Sequence, residues 1–376
     1  MENKHVNEIS FLRGIACLSI VFLHSIVWGV DNIGYLSNLS TDTQTILDAV
    51  TILLYYGTPT FIFITAFIFG YNYKDKETIS FDFIRKRVKF ILIPYICMGL
   101  FYSLPFVLIS AEQFITTTFL NIFIGDFHAY FVLIIFQFYL LFVIGKRMLD
   151  RFSPLKVIVV SLVINVLYLS IFNFTEPINI PFSTYIWERY YWVPFPGWIF
   201  YFTVAYYIGA NYKVFTQYLT KFKYFVMSAP IVTGLLLMSL YYSEIITIHS
   251  SKRIDILLYT ISIIGFALYF SRKMNRIPTL FLTINKYSYG IYLLHTFYLA
   301  VIILLFNLYS FNFGLLTIFV LFVFSIMSSI LTIYVLNKFS FGKYIVGKVD
   351  VTPLELSSIS SKLRMKINSY FVNFKS

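Results

Sequence analysis

One arginine and one histidine stand out in the first apolar stretch of the chain, Glu8-Ile-Ser-Phe-Leu-Arg13-Gly-Ile-Ala-Cys-Leu-Ser-Ile-Val-Phe-Leu-His24. On an α-helix their separation amounts to about 20° more than three full turns and a rise of roughly 16 Å, so the two side chains share one face. An imidazole with an unperturbed pKa of about 6.5 serves as a general base or carries an acyl group at neutral pH. Holding an Arg or Lys at mid-membrane costs about 2.5–3.5 kcal/mol on insertion scales, so ionisable groups kept in such a run point to function. Arg13 and His24 are therefore the candidate catalytic residues.

A second cluster, Arg85-Lys86-Arg87-Val88-Lys89, runs into Ile93-Pro94-Tyr95. Planar, bidentate guanidinium groups suit a phosphate-bearing donor, which makes Arg85 and Arg87 candidates for donor binding. Two residues apart on an ideal helix, they point about 200° away from each other. They would face one pocket only if the helix were distorted, and Pro94 is a source of distortion. His295, in Tyr287-Ser-Tyr-Gly-Ile-Tyr-Leu-Leu-His295, is the other intramembrane histidine. With Asp126 and His128, near the outer end of the fourth apolar run, it forms a set of candidate cavity or acceptor-side residues. His5 and His249 fall in polar segments and suggest no chemistry. The scattered histidines give no HExxH or Cys/His cluster, so no metal is expected. Cys17 and Cys97 lie inside apolar runs and support no disulfide framework. No Gly-rich phosphate loop and no GxSxG elbow occur, so an ATP-driven pump is not indicated.

The elements that hold these residues follow from composition. The chain has 376 residues, 59% hydrophobic, 21% aromatic and 12% charged, against about 25% charged in soluble domains. That describes an all-α, polytopic integral membrane protein. At about 20 residues per span, ten runs result: 9–28, 50–72, 90–110, 129–145, 156–173, 193–211, 224–242, 254–271, 288–307 and 314–337. The runs are continuous rather than alternating, which argues against a barrel. Arg13 interrupts the apolar entry and no small-residue cleavage site follows, so the first run is expected to be a retained span.

With the N-terminus inside, 26 of the 29 Lys and Arg fall on the cytoplasmic side, leaving Arg189, Lys252 and Arg253 outside. This asymmetry places both termini in the cytoplasm. It also accounts for the formal charge of +12 without a nucleic-acid partner. A membrane domain over 1–340 is followed by a cytoplasmic tail, 341–376, in which Leu356, Ile359, Leu363, Ile367 and Phe371 recur near helical spacing, as in a helix lying on the lipid surface. The aromatics of the long outer loop, about 174–192, fit an interfacial belt.

Leu12-Arg13-Gly14-Ile15-Ala16 with His24 beyond, Arg85-x-Arg87 leading to Ile93-Pro94-Tyr95, and Ser288-Tyr-Gly-Ile-Tyr-Leu-Leu-His295 together resemble the acyltransferase 3 family of integral membrane O-acyltransferases. Thr65-Ala66 and Ile135-Phe-Gln-Phe-Tyr139 stand where acetylating members of that family often carry Ser-Gly and Glu-Glu-Gln-Phe-Tyr. The resemblance implies a multi-pass protein of the cell membrane with no permanently bound cofactor. Such a protein takes an acetyl or succinyl group from cytoplasmic acyl-CoA to a hydroxyl of a cell-surface polysaccharide. The rival expectation is an exporter of exopolysaccharide or of a lipid-linked sugar.

Overall fold

The computed structural model describes residues 7–351. The N-terminal Lys4 and His5 and the predicted surface helix over 353–375 lie outside the described residues. Among the described residues the regular elements are all helices, and nine stretches are long and apolar enough to cross a membrane. The protein is a multi-pass, all-α membrane protein. Its main helices are α1 (Asn7–Asn32), α2 (Thr41–Tyr73), α3 (Phe81–Leu108), α4 (Phe131–Arg151), α5 (Pro154–Phe174), α6 (Ile199–Ala210), α7 (Lys223–Tyr242), α8 (Ile256–Lys273), α9 (Thr279–Tyr309) and α10 (Leu316–Asn337).

The exception among the ten predicted runs is the sixth, 193–211. It forms the 12-residue α6, about 18 Å long against a hydrocarbon core of about 30 Å. Pro194 and Pro196 lack the N–H groups that a helix would need there, so 3₁₀ turns over Tyr190–Trp192 and Phe195–Gly197 precede it. What α6 lacks in length it recovers in contact with α2. A Cβ added to Gly70 would lie 2.0 Å from the Tyr206 carbonyl oxygen, and one on Gly209 2.2 Å from that of Phe67. The two backbones therefore meet directly, as small residues permit between membrane helices.

Three local irregularities position the site. In α3, Pro94 cannot donate to residue 90, and the chain widens into a π turn over Val88–Leu92, with the Ile93 N–H reaching Val88 O. Ahead of α4, the helix Ala111–Phe119 runs on as a π turn over Leu120–Ile124 and stops at Gly125, whose φ is 78°. The chain then turns through a 3₁₀ segment, His128–Tyr130, into α4. After α10, residues 342–351 fold back onto the bundle at the head of the predicted tail: Val346 is fully buried, and Asn337 donates to Gly347 O at 3.1 Å and accepts from the Val349 N–H at 3.0 Å. At the centre, α1 packs against α2, α8, α9 and α10.

Candidate active site

The α1–α9 contact brings His24 and His295, 271 residues apart in sequence, within 2.7 Å, Nδ1 to Nε2. Their rings stack with centroids 5.0 Å apart. His295 is fully buried, and its Nδ1 faces the carbonyl oxygens of Ile291 and Tyr292, each at 2.9 Å. A carbonyl only accepts, so His295 Nδ1 carries the proton and the neutral ring presents Nε2 as an acceptor. His24 Nδ1–H therefore donates to it. The other nitrogen of His24, Nε2, keeps a free lone pair, with no hydrogen-bond partner among the described residues.

His128 joins this pair. The turn after Gly125 sets its ring edge-on to His295, centroids 5.3 Å apart at 89°. Unlike His24, it has both nitrogens engaged: Nε2–H donates to Tyr292 O at 3.1 Å, and Nδ1 meets the Thr296 hydroxyl at 3.0 Å. Tyr292 Oη donates to His128 O at 2.6 Å. His128 and His295 thus hold the cluster in place, and His24 is the member free to act. Among the described residues, no three His, Cys, Asp or Glu are grouped to hold a metal ion.

Two cavities lie by the cluster, one just below and one at the lower end of the usual ligand-pocket range of about 300–1,000 Å³. One, about 240 Å³, is lined by His24, His128, Tyr130, Trp192, Arg189 and Lys252, with Tyr292 in its wall. The other, about 310 Å³, is lined by Arg13, Tyr139, Ser288, Tyr289 and Lys348, again with Tyr292. Among the described residues no carboxylate lines the second cavity and Arg13 has no ion pair, while Lys348 pairs with Asp350 at 3.6 Å. One tyrosine is thus common to the basic cavity and the histidine cavity.

The two arginines of the second cluster part company. Arg87 lies with Cζ 3.9 Å over the Phe83 ring and 5.7 Å from the centroid of the Tyr139 ring, which lines the Arg13 cavity. Arg85 is exposed and lines neither cavity. The π turn begins only after both residues, so the opposed directions expected of a regular helix persist. Asp126 is held by Arg189, Nε to Oδ1 at 2.7 Å, while Arg189 Nη2 donates to Gly125 O and Phe127 O. Asp126 thus fixes the loop and aims a cation at the histidine cavity.

Sequence reasoning missed Lys348, Tyr139 and Tyr292, and it treated Arg189 and Lys252 only as a remainder of the charge count. Being exceptions to a one-sided distribution was itself the available signal. Of the positions departing from the acetylating pattern, Thr65 lines the Arg13 cavity. Ile135, which also departs, lines it too, whereas Gln137, which matches the pattern, braces the turn before α6, donating to Val193 O at 2.9 Å and accepting from the Phe195 N–H at 3.0 Å.

This is a multi-pass helical membrane protein with a histidine pair between its first and ninth helices, one member lining a cavity that shares Tyr292 with a second, basic cavity. The acyltransferase domain model of the acyltransferase 3 family matches residues 6–337, and the chain belongs to that family. It is 33% identical over 355 residues to the Bacillus subtilis (strain 168) protein named "Putative membrane-bound acyltransferase YfiQ", covering 92% of this chain and 95% of the relative. It is also 26% identical over 361 residues to the "Probable poly-beta-1,6-N-acetyl-D-glucosamine export protein" of Staphylococcus aureus (strain MSSA476), covering 91% and 95%. The Staphylococcus epidermidis protein of the same name is 26% identical over 310 residues, covering 78% and 81%. No solved structure matches.

Proposed function

We propose that the protein moves an acetyl or succinyl group from a cytoplasmic acyl-CoA to a hydroxyl of a cell-surface glycan, with His24 as general base. The observation that carries this reading is the His24–His295 hydrogen bond, which leaves His24 Nε2 with a free lone pair on a residue that lines the cavity. The sugar O–H attacks the thioester carbonyl and its proton passes to His24 Nε2. The C–O bond forms as the C–S bond breaks, and the leaving thiolate takes the proton from His24 to give free CoA. The thioester supplies the driving force, so no ATP is needed.

Arg13, without an ion pair among the described residues, offers positive charge to the donor's phosphates, with Arg87 beside it and Lys348, paired with Asp350 at 3.6 Å, in the same cavity wall. Exposed Arg85 contributes long-range attraction only. His128 and His295 are positioning residues, and no permanently bound cofactor is required. The charge asymmetry of the loops supports a cytoplasmic donor side, with both termini on that side.

A second reading, glycan export, draws on the name of the staphylococcal relatives and on the two cavities that share one wall. Deleting the gene separates the two. Secreted polysaccharide of normal amount lacking O-acyl esters by mass spectrometry supports transfer; unmodified polymer retained in the cell supports export. Complementation with His24→Ala should leave the ester content at the deletion level, and full restoration by a correctly folded His24→Ala protein would overturn the transfer reading.

A further inference from the structure

Two neighbouring cations in the loop between α7 and α8 are treated very differently by the fold. Arg253 is fully buried and fully partnered: Nε and Nη2 donate to the Asp255 carboxylate at 3.0 and 2.6 Å, and Nη1 donates to Ile246 O at 3.0 Å. Lys252 is only 5% exposed, yet its Nζ has no hydrogen bond and no carboxylate among the described residues. It rests instead 3.5 Å over the Trp192 ring and 4.8 Å over that of Tyr130. Burial, with repulsion from Arg189, pushes its pKa well below the ordinary lysine value.

The backbone around Lys252 is pinned. Its carbonyl accepts from Asn173 Nδ2 at 3.0 Å, and the next-but-one N–H, of Ile254, donates to Asn173 Oδ1 at 3.0 Å. An unpaired buried charge is costly, and here the fold fixes an amine with no carboxylate partner among the described residues in the wall of the cavity that also holds His24. Arg189 lines the same cavity, its charge offset by Asp126, and His249, also in the wall, is paired with Asp48. Lys252 is thus the basic group of this cavity without an acidic partner among the described residues, and an anion seated beside it would restore the charge that burial disfavours, with aromatic faces flanking the amine.

We infer that the His24 cavity contains a subsite for an anionic group, a carboxylate or phosphate carried by the acyl tail or by the acceptor, with Lys252 as its anchor and Arg189 at its side. The subsite rests on the acyl-transfer reading and adds to it a selectivity for charge: one of the two substrates bears a negative group close to the reacting carbonyl. A dicarboxylic acyl tail would present its free carboxylate there, and an acidic or phosphorylated glycan would present its own anion.

The test uses purified protein in lipid nanodiscs, its thermal denaturation followed with monomethyl succinate, glucuronate or inorganic phosphate, and with neutral dimethyl succinate or glucose. At least one anion should raise the midpoint, neutral probes should not, and Lys252→Met should abolish the shift while Lys252→Arg restores part of it. A response to monomethyl succinate assigns the anion to the acyl tail; a response to glucuronate or phosphate assigns it to the acceptor. In transfer assays, Lys252→Met should lower kcat/KM for the anion-bearing partner roughly tenfold or more beyond its effect on the neutral one. No anion-dependent shift in the unsubstituted protein, or an equal shift in Lys252→Met, overturns the subsite. A Lys252-dependent shift without any acyl transfer would refute the transfer reading and leave the subsite standing.

Discussion

Replacing His295 by phenylalanine keeps a planar ring in a fully buried position but removes the acceptor for the His24 Nδ1–H, now 2.7 Å away. In the proposed reaction the His24 ring gains a proton at Nε2, and its bond to neutral His295 becomes charge-assisted, a contribution of about 1.5–3 kcal/mol. At about 1.36 kcal/mol per decade, that corresponds to a fall in kcat of about 10- to 150-fold. Losing the base itself, in His24→Ala, should cost about 10²–10⁴-fold. Because His295 acts through His24, the double variant should be no slower than His24→Ala alone, a strongly non-additive cycle. His295→Gln, whose amide oxygen can accept from the His24 Nδ1–H, should recover part of the rate. The assay is transfer of radiolabelled acyl groups from acyl-CoA to an oligosaccharide acceptor by purified protein in nanodiscs. KM for acyl-CoA should stay within about twofold, since the lost interaction belongs to the transition state. A monodisperse His295→Phe protein turning over at the original rate, or a double variant slower than His24→Ala by the full His295 factor, would refute the reasoning.

Arg13→Ala should raise KM for acyl-CoA by roughly tenfold or more, the range of a charge-assisted hydrogen bond, and Arg87→Ala should do so to a lesser extent. Arg85→Ala, at an exposed position, should move KM by no more than about twofold at physiological salt; steady-state kinetics on the three variants checks this order. Gly70→Ala places a methyl group 2.0 Å from the Tyr206 carbonyl oxygen and should destabilise the protein by about 1–3 kcal/mol through overpacking, read as a lower denaturation midpoint in nanodiscs.

Apolar run length made the architecture legible, because lipid leaves a spanning chain few options beyond helix. It failed at α6, where two prolines and a backbone-to-backbone contact with α2 produce a short element inside a run of ordinary length. Arg13 and His24 were visible as costly residues on one helix face, and His295 as a second such residue. Their hydrogen bond was not visible, since it joins the first helix to the ninth. His128 read as an outer-mouth residue because the left-handed break at Gly125, which carries it to the histidine pair, is a tertiary event. Lys348 was hidden among basic residues that topology already explained. The opposed directions of Arg85 and Arg87 were readable from helix geometry, as the π turn falls after them.

Tyr292 gives the site a property of a different kind. Its backbone carbonyl accepts from two histidines, and the residue lines both cavities, so a single residue stands where the proposed donor and acceptor pockets adjoin. An acyl transferase working across a bilayer has to let a short reactive arm through while remaining electrically tight. If transfer runs between the two cavities as proposed, Tyr292, tethered by its hydroxyl to the His128 carbonyl, is the residue past which that arm has to reach.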